Sequence, residues 1–140
     1  MDRSLIVALC GDSGAGKSTT TGLLKNEGFR DYSLSVFLRE EAEAALVQPT
    51  RAEVQAHGKA MQERHGNDYF ARRLADETDL MSEGDAVIDG MRNLDEVAFI
   101  RAAAAPSGHR FVLLAVVLEA EDRFNRVRGR GRPGDPANLA

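Results

Sequence analysis

Tryptophan is absent, and cysteine occurs once in 140 residues, at Cys10. One thiol cannot close an internal disulfide, and this usage fits a reducing cytosol. The expected location is therefore cytoplasmic. No apolar run approaches the ~18 residues that a membrane span requires. The N-terminus lacks a basic region, a long apolar stretch and a cleavage site, so no secretory signal is legible. There is no excess of positive charge: 18 Lys and Arg stand against 22 Asp and Glu, a net charge of −4. That balance argues against a general nucleic-acid or membrane-surface binder. Two signatures expected of a GTPase, Asn-Lys-x-Asp and Asp-x-x-Gly, do not occur. The chain is also too short to hold the helical subdomain of a ring-forming ATPase.

What is present suffices for one packed core. The length is that of one domain, and 43% of the residues are hydrophobic. "LIVALC", residues 5–10, reads as a strand buried on both faces, as in a parallel sheet. A helix is expected over about 17–27, with Gly28 as its stop. A weaker strand follows over 29–34, then an Ala-, Leu- and Glu-rich helix that ends before Pro49. Thr50 and Glu53 have capping-box spacing and open a helix that runs to about His65. Asn67 is the expected cap of the next, which carries Phe70, Leu74, Thr78 and Met81 on one stripe. "AVID", residues 86–89, is a short strand. Asn93 and Glu96 form a second capping box ahead of Val97, Ile100 and Ala104. "FVLLAVVL", residues 111–118, has the length, β-branching and lack of charge of a central strand. A last helix starts near Glu121. This alternation favours a parallel sheet with helices on both faces.

The chemistry-bearing motif is "GDSGAGKS", Gly11 to Ser18, which fits G-x-x-x-x-G-K-[ST] between a strand and a helix. A triphosphate must be wrapped by backbone N–H groups at close range. Gly11, Gly14 and Gly16 allow the conformations this needs and clear side chains from the path. Asp12, Ser13 and Ala15 complete the loop, and the following helix adds its positive N-terminal end. Lys17 can reach the outer phosphates as a point charge. The Ser18 hydroxyl can coordinate Mg²⁺, and Thr19 can donate to an inner phosphate. Asp89 ends a strand, where ligands bind in doubly wound sheets, and can hold Mg²⁺ through water. Arg92, three residues on, could meet an anionic substrate. "RFNRVRGRGR", residues 123–132, contains five arginines and no acid, with Arg126 and Arg130 placed to stabilise charge during phosphoryl transfer. The histidines are scattered without metal-ligand spacing or partner acids. Cys10 reads as a small core residue.

With these motifs the chain resembles the P-loop small-molecule kinases: nucleoside monophosphate kinases, dephospho-CoA kinases and their adenylate-kinase-like relatives. "GDSGAGKST" has the G-x-x-G-x-G-K-[ST] form common among them. "YSLSVFLREE" looks like their substrate-side segment and carries a substrate-binding role to Arg39. "VIDGMRNLDEV" carries roles to Asp89 and Arg92, and "RFNRVRGRGRPGDP" resembles the entry to a lid, with Arg126 and Arg130 at the spacing of paired lid arginines. Two departures stand out. Val36 occupies the place where many members have Asp, and only Asp31 stands where dephospho-CoA kinases carry Asp-x-Asp. Members normally continue past the lid with more helix and a fifth strand, so the resemblance implies a chain cut short at its C-terminal side.

The resemblance implies a three-layer α/β P-loop NTPase fold with the parallel strand order 2-3-1-4. It implies one kinase-like domain over 1–140, with a helical substrate-side insertion over about 35–83 and a lid-like segment over about 123–136. The expected activity is transfer of a phosphoryl group from ATP, with Mg²⁺, to a small phosphorylated acceptor of nucleoside monophosphate type. A dephospho-CoA kinase-like enzyme and a regulatory P-loop ATPase are the alternatives. No membrane and no specific nucleic acid is expected as partner. Lys17, Arg126 and Arg130 are the expected catalytic residues, residues 11–19 the nucleotide site, Arg39 and Arg92 the acceptor site, and Ser18 with Asp89 the metal site.

Overall fold

The computed structural model describes residues 4–11 and 16–116. Four strands and five helices alternate in the order β1 (Ser4–Cys10), α1 (Lys17–Asn26), β2 (Arg30–Ser33), α2 (Leu34–Ala45), α3 (Arg51–His65), α4 (Tyr69–Glu77), β3 (Ala86–Asp89), α5 (Leu94–Ala104) and β4 (His109–Ala115). The strands form one parallel sheet in the order β2-β3-β1-β4, the order expected from the sequence. Parallel pairing follows from the helical crossovers between successive strands.

The apolar run of β1 is divided between two cores. Ile6 and Ala8 face one side with Ala86 and Ile88 of β3, and meet Leu34, Leu38, Phe70, Leu74, Val97 and Ile100 from α2, α4 and α5. Val7, Leu9 and Val87 face the other, against Leu24 of α1 and Phe29. β1 and β3 thus bury both alternating faces, which accounts for their largely apolar runs. The larger core is completed by Leu80, fully buried in the connection between α4 and β3.

That connection is clasped by Arg30. Its guanidinium donates through Nη1 to Tyr32 Oη (2.8 Å), the Asp79 carbonyl (2.6 Å) and Ser82 Oγ (3.0 Å). Through Nη2 it donates to the carbonyls of Leu80 (3.3 Å), Ser82 (2.9 Å) and Gly84 (2.9 Å). A turn without regular secondary structure leaves its carbonyls without ladder partners, and the arginine supplies them.

Both capping boxes form. Thr50 Oγ1 accepts from the Glu53 amide at 3.1 Å, and Asn93 Oδ1 from the Glu96 amide at 2.9 Å. Other expectations need correction. α2 ends before Pro49 as expected, but already at Ala45, and Gln48 takes a positive φ of 46°. Leu34 is the first residue of α2, not the last of β2. Asn67 does not cap α4: Asp68 holds that position, and the Asn67 side chain donates instead to Asp95 Oδ2 (3.0 Å). α4 stops at Glu77 because Thr78 turns its hydroxyl back onto the Leu74 carbonyl (2.6 Å), so Met81 lies beyond it. β4 begins at His109 and stands at the edge of the described sheet, with Val112, Leu113 and Leu114 39–40% exposed. An apolar run reports demand for cover, not the number of neighbouring strands.

Candidate active site

The carboxyl ends of β1 and β3 and the start of α1 meet at one edge. Gly11 follows β1 directly. Its φ is +145°, and a Cβ built there would lie 2.4 Å from the Val116 carbonyl oxygen, so no other residue fits without moving backbone. Gly16, with φ 102°, turns the chain into α1 in a left-handed conformation that glycine adopts without steric cost. Its carbonyl accepts from both the amide (3.0 Å) and the hydroxyl (3.1 Å) of Thr20. Asp12 to Ala15 lie outside the described residues, as do Arg126 and Arg130, so their expected roles rest on sequence alone.

Lys17 and Asp89 come together at this edge. Lys17 Nζ lies 4.0 Å from Asp89 Oδ1, and that oxygen also accepts from the Gly90 amide at 2.8 Å. Asp89 is thus held by its own turn, with a cation beside it. Ser18 and Thr19 sit exposed in the first turn of α1, next to Lys17. Gly90 has φ +92°, and a Cβ there would approach the Leu34 and Ser35 amides at 3.3 Å. The start of α2 is therefore packed against the turn that carries Asp89.

Beside this edge, two cavities lie between α2, α3 and the β3–α5 turn. One, of about 240 Å³, is lined by Arg39, Arg51 and Arg92 together with Glu43. Both arginines singled out in the sequence, Arg39 and Arg92, are in it. Arg51 was missed: it stands at the first position of α3, where its only sequence signal was the adjoining capping box. Among the described residues none of the three forms an ion pair. The second cavity, of about 260 Å³, shares Ser35, Leu38, Gln55 and Arg92 with the first and adds Lys59, Gln62, Phe70 and Glu96. Gly58 makes this approach of α3 possible, since a Cβ there would meet Leu38 Cδ1 at 2.9 Å.

The helices around the cavities are tied by a polar cluster that sequence reading did not find. Glu41 of α2 accepts from Tyr69 Oη (2.8 Å), meets His57 Nε2 (3.1 Å) and is bonded by Arg73, whose Nε reaches Glu77 at 2.5 Å. His57 thus has an acidic partner, contrary to the sequence expectation. The partner comes from another helix, which residue spacing does not reveal. Burial alone would push the Glu41 carboxyl upward, but the bonds from Tyr69, His57 and Arg73 outweigh it and hold the group below its ordinary value of 4.5. A lowered folded pKa adds stability that is present above 4.5 and lost as pH falls through the folded value. The urea midpoint should therefore drop on acidification below pH 4.5, and more steeply than in a Glu41→Gln variant; parallel curves for the two proteins would exclude this cluster as the cause.

A parallel sheet in the order 2-3-1-4, a glycine turn leading into Lys17 and an acidic β3 terminus are the features of the three-layer P-loop NTPase fold. Solved structures agree on the fold. A candidate kinase from Chloroflexus aurantiacus aligns with a TM-score of 0.64 over 99% of this chain and 74% of its own, at 15% identity. TT1252 from Thermus thermophilus aligns at 0.56 over 92% and 73%, at 21% identity. No family model matches the chain. Among curated proteins, a UPF0200 protein from Hyperthermus butylicus is 33% identical over 132 residues, covering 94% of this chain and 68% of its own length. The UPF0200 protein TK1334 from Thermococcus kodakarensis is 30% identical, with 94% and 71% covered. The chain belongs to the UPF0200 family. Among the described residues no helix is long and apolar enough to cross a membrane.

Proposed function

We propose that the protein transfers the terminal phosphoryl group of ATP to a small phosphorylated acceptor of nucleoside monophosphate type. The observation that carries this reading is the placement of two unlike half-sites on one sheet edge. One is the Lys17–Asp89 pair behind a glycine turn; the other is the cavity walled by Arg39, Arg51 and Arg92. A nucleotide switch needs only the first. Three guanidinium groups without an ion pair among the described residues, around about 240 Å³, suit a second anion, because each can donate paired bonds to phosphate oxygens.

In this reading Lys17 and the loop amides, including those of residues 12–15, hold the donor phosphates. Phosphoryl transfer is governed by positioning and electrostatic stabilisation, so no dedicated general base is required. The residues present fit Mg²⁺, a hard cation that takes oxygen ligands: the Ser18 hydroxyl and the Asp89 carboxylate lie beside Lys17. Bound there, the ion would neutralise charge on the donor phosphates. Arg126 and Arg130 are proposed to stabilise the group in transfer from outside the described residues.

The test is ADP formation from ATP and Mg²⁺ with a panel of nucleoside monophosphates and dephospho-CoA. Acceptor-dependent ADP is expected, whereas ADP released at one rate with or without acceptor would favour the switch. The arginines give a second prediction. Replacing Arg39 or Arg92 by Ala should raise the acceptor KM about 10–100-fold, the worth of a charge-assisted hydrogen bond, and leave the KM for ATP nearly unchanged. A rise in the ATP constant instead would place these arginines on the donor.

A further inference from the structure

Of the three helices around the cavities, α3 is held by the least packing. Only Gly58 among its 15 residues is buried. Val54 and Met61 meet the larger core from partly buried positions. By contrast α2 buries Leu34, Leu38 and Ala42, and α4 buries Phe70, Ala71 and Leu74. The connection from α2 to α3 leaves Leu46 and Val47 exposed, so it adds little packing of its own. Yet α3 carries Arg51 at its first position, in the same cavity wall as Arg39 of α2. The spacing of these two cations is the spacing of two helices, and something besides apolar contact must fix it.

Among the described residues one side-chain hydrogen bond joins α3 to α2: His57 Nε2 lies 3.1 Å from Glu41 Oε1. A carboxylate accepts, so the imidazole donates. The pair is well shielded, with side chains 19% and 15% exposed. Oε2 of the same carboxylate is taken by α4, through Tyr69 Oη at 2.8 Å and through Arg73. Each oxygen therefore holds a different helix. The Oε1 arm fastens the helix that bears Arg51, whereas the Oε2 arm fastens α4, which bears none of the three cavity arginines. His57 lines neither cavity, so its influence on a ligand there must pass through a neighbour.

We propose that His57 is a positioning residue for the acceptor: docked on Glu41, it holds α3 against α2 and keeps Arg51 in the wall it shares with Arg39. The proposal rests on the acceptor reading of the arginine-lined cavity. A small misplacement of an anchoring group weakens its hold on the ligand even when the group itself is intact.

A mutant cycle tests this. Binding of AMP, GMP, CMP and UMP is measured by calorimetry without ATP, and the tightest of them is carried through the variants at a temperature where circular dichroism shows each to be folded. Arg51→Ala should raise its Kd about 10–100-fold. His57→Leu, which keeps bulk but cannot donate, should raise it about tenfold, and should change it less than about twofold when Arg51 is already Ala. His57→Gln, whose amide can donate over a similar reach, should bind within about twofold of the wild type. Tyr69→Phe should lower the melting temperature and leave the acceptor Kd within about twofold, because it loosens only the other arm. In turnover, His57→Leu should raise the acceptor KM and leave kcat and the KM for ATP unchanged. The assignment is overturned by an unchanged Kd in His57→Leu, by effects of His57→Leu and Arg51→Ala that multiply, by no recovery in His57→Gln, by an equal rise in Tyr69→Phe, or by binding of none of the four nucleotides. Coupling without acceptor-dependent ADP keeps the role of His57 and removes the kinase reading; acceptor-dependent ADP without coupling does the reverse.

Discussion

Replacing Lys17 with Ala should lower acceptor-dependent ADP formation about 1,000-fold while leaving the fold intact. The side chain begins at the first residue of α1 and reaches across to Asp89 at 4.0 Å. Among the described residues it is the one side-chain cation paired with Asp89. Phosphoryl transfer spreads negative charge over oxygens that the lysine would face, and truncation removes that point charge. The loss should appear mainly in kcat, since backbone amides of the loop would still hold part of the donor. Its effect on stability should be small: the pair is long and partly solvated, and such pairs contribute little. A Lys17→Ala enzyme that turns over within tenfold of the wild type would remove this edge from the reaction. Parallel thermal melts distinguish loss of chemistry from loss of fold.

The largest stability loss should follow Arg30→Ala: about 3 kcal/mol, or on the order of 10 °C in melting temperature. Six acceptors surround the two terminal nitrogens. Four of them are backbone carbonyls between Asp79 and Gly84, and truncation leaves them to whatever water can enter. Leu80, fully buried beside them, ties the same turn to the core, so the loop cannot simply swing out to be solvated. Lysine should rescue little, because one ammonium cannot span carbonyls that a planar fork reaches together. Chemical denaturation monitored by circular dichroism checks both variants. A loss under 1 kcal/mol for the alanine variant would mean that water replaces the guanidinium at no great cost.

Much of the fold was legible because its signals are local. The run Leu5–Cys10, the turn at Gly16 into α1 and both capping boxes each fix structure within a few residues, and all are found where they were expected. Sheet order came from resemblance, and the pairing of β1 with β3 and β4 agrees with it. The failures were of another kind. The end of α4 depends on one threonine folding back on the helix, a choice that a hydrophobic stripe does not register. The edge position of β4 depends on which neighbours are present. The bonds from Arg30 to the turn before β3 and those that bring His57, Tyr69 and Arg73 to Glu41 join residues 16 to 54 positions apart, and no periodicity encodes such pairs.

The candidate site followed the same division. Gly11, Gly16, Lys17 and Asp89 belong to short motifs whose spacing reflects the chemistry of holding phosphate. Arg39 was found through resemblance and Arg92 by its place three residues after Asp89, and the cavity brings them together. Arg51 was invisible because it follows an arm of the chain whose packing the sequence does not specify. Glu96 was visible, but only as a helix cap; its burial against a cavity is a property of tertiary structure. Arg126 and Arg130 lie outside the described residues and stand as expectations.

The clasp at Arg30 has one more consequence. The chain leaves the sheet at Ser33 and returns at Ala86, while Arg30 binds Gly84 through its side chain and the Asp85 carbonyl through its backbone amide (2.9 Å). The departure and re-entry points of the helical excursion are therefore fastened together independently of what the helices between them contain. That makes the excursion a cassette. The side chains of α2, α3 and α4 can change without touching the bonds that close it.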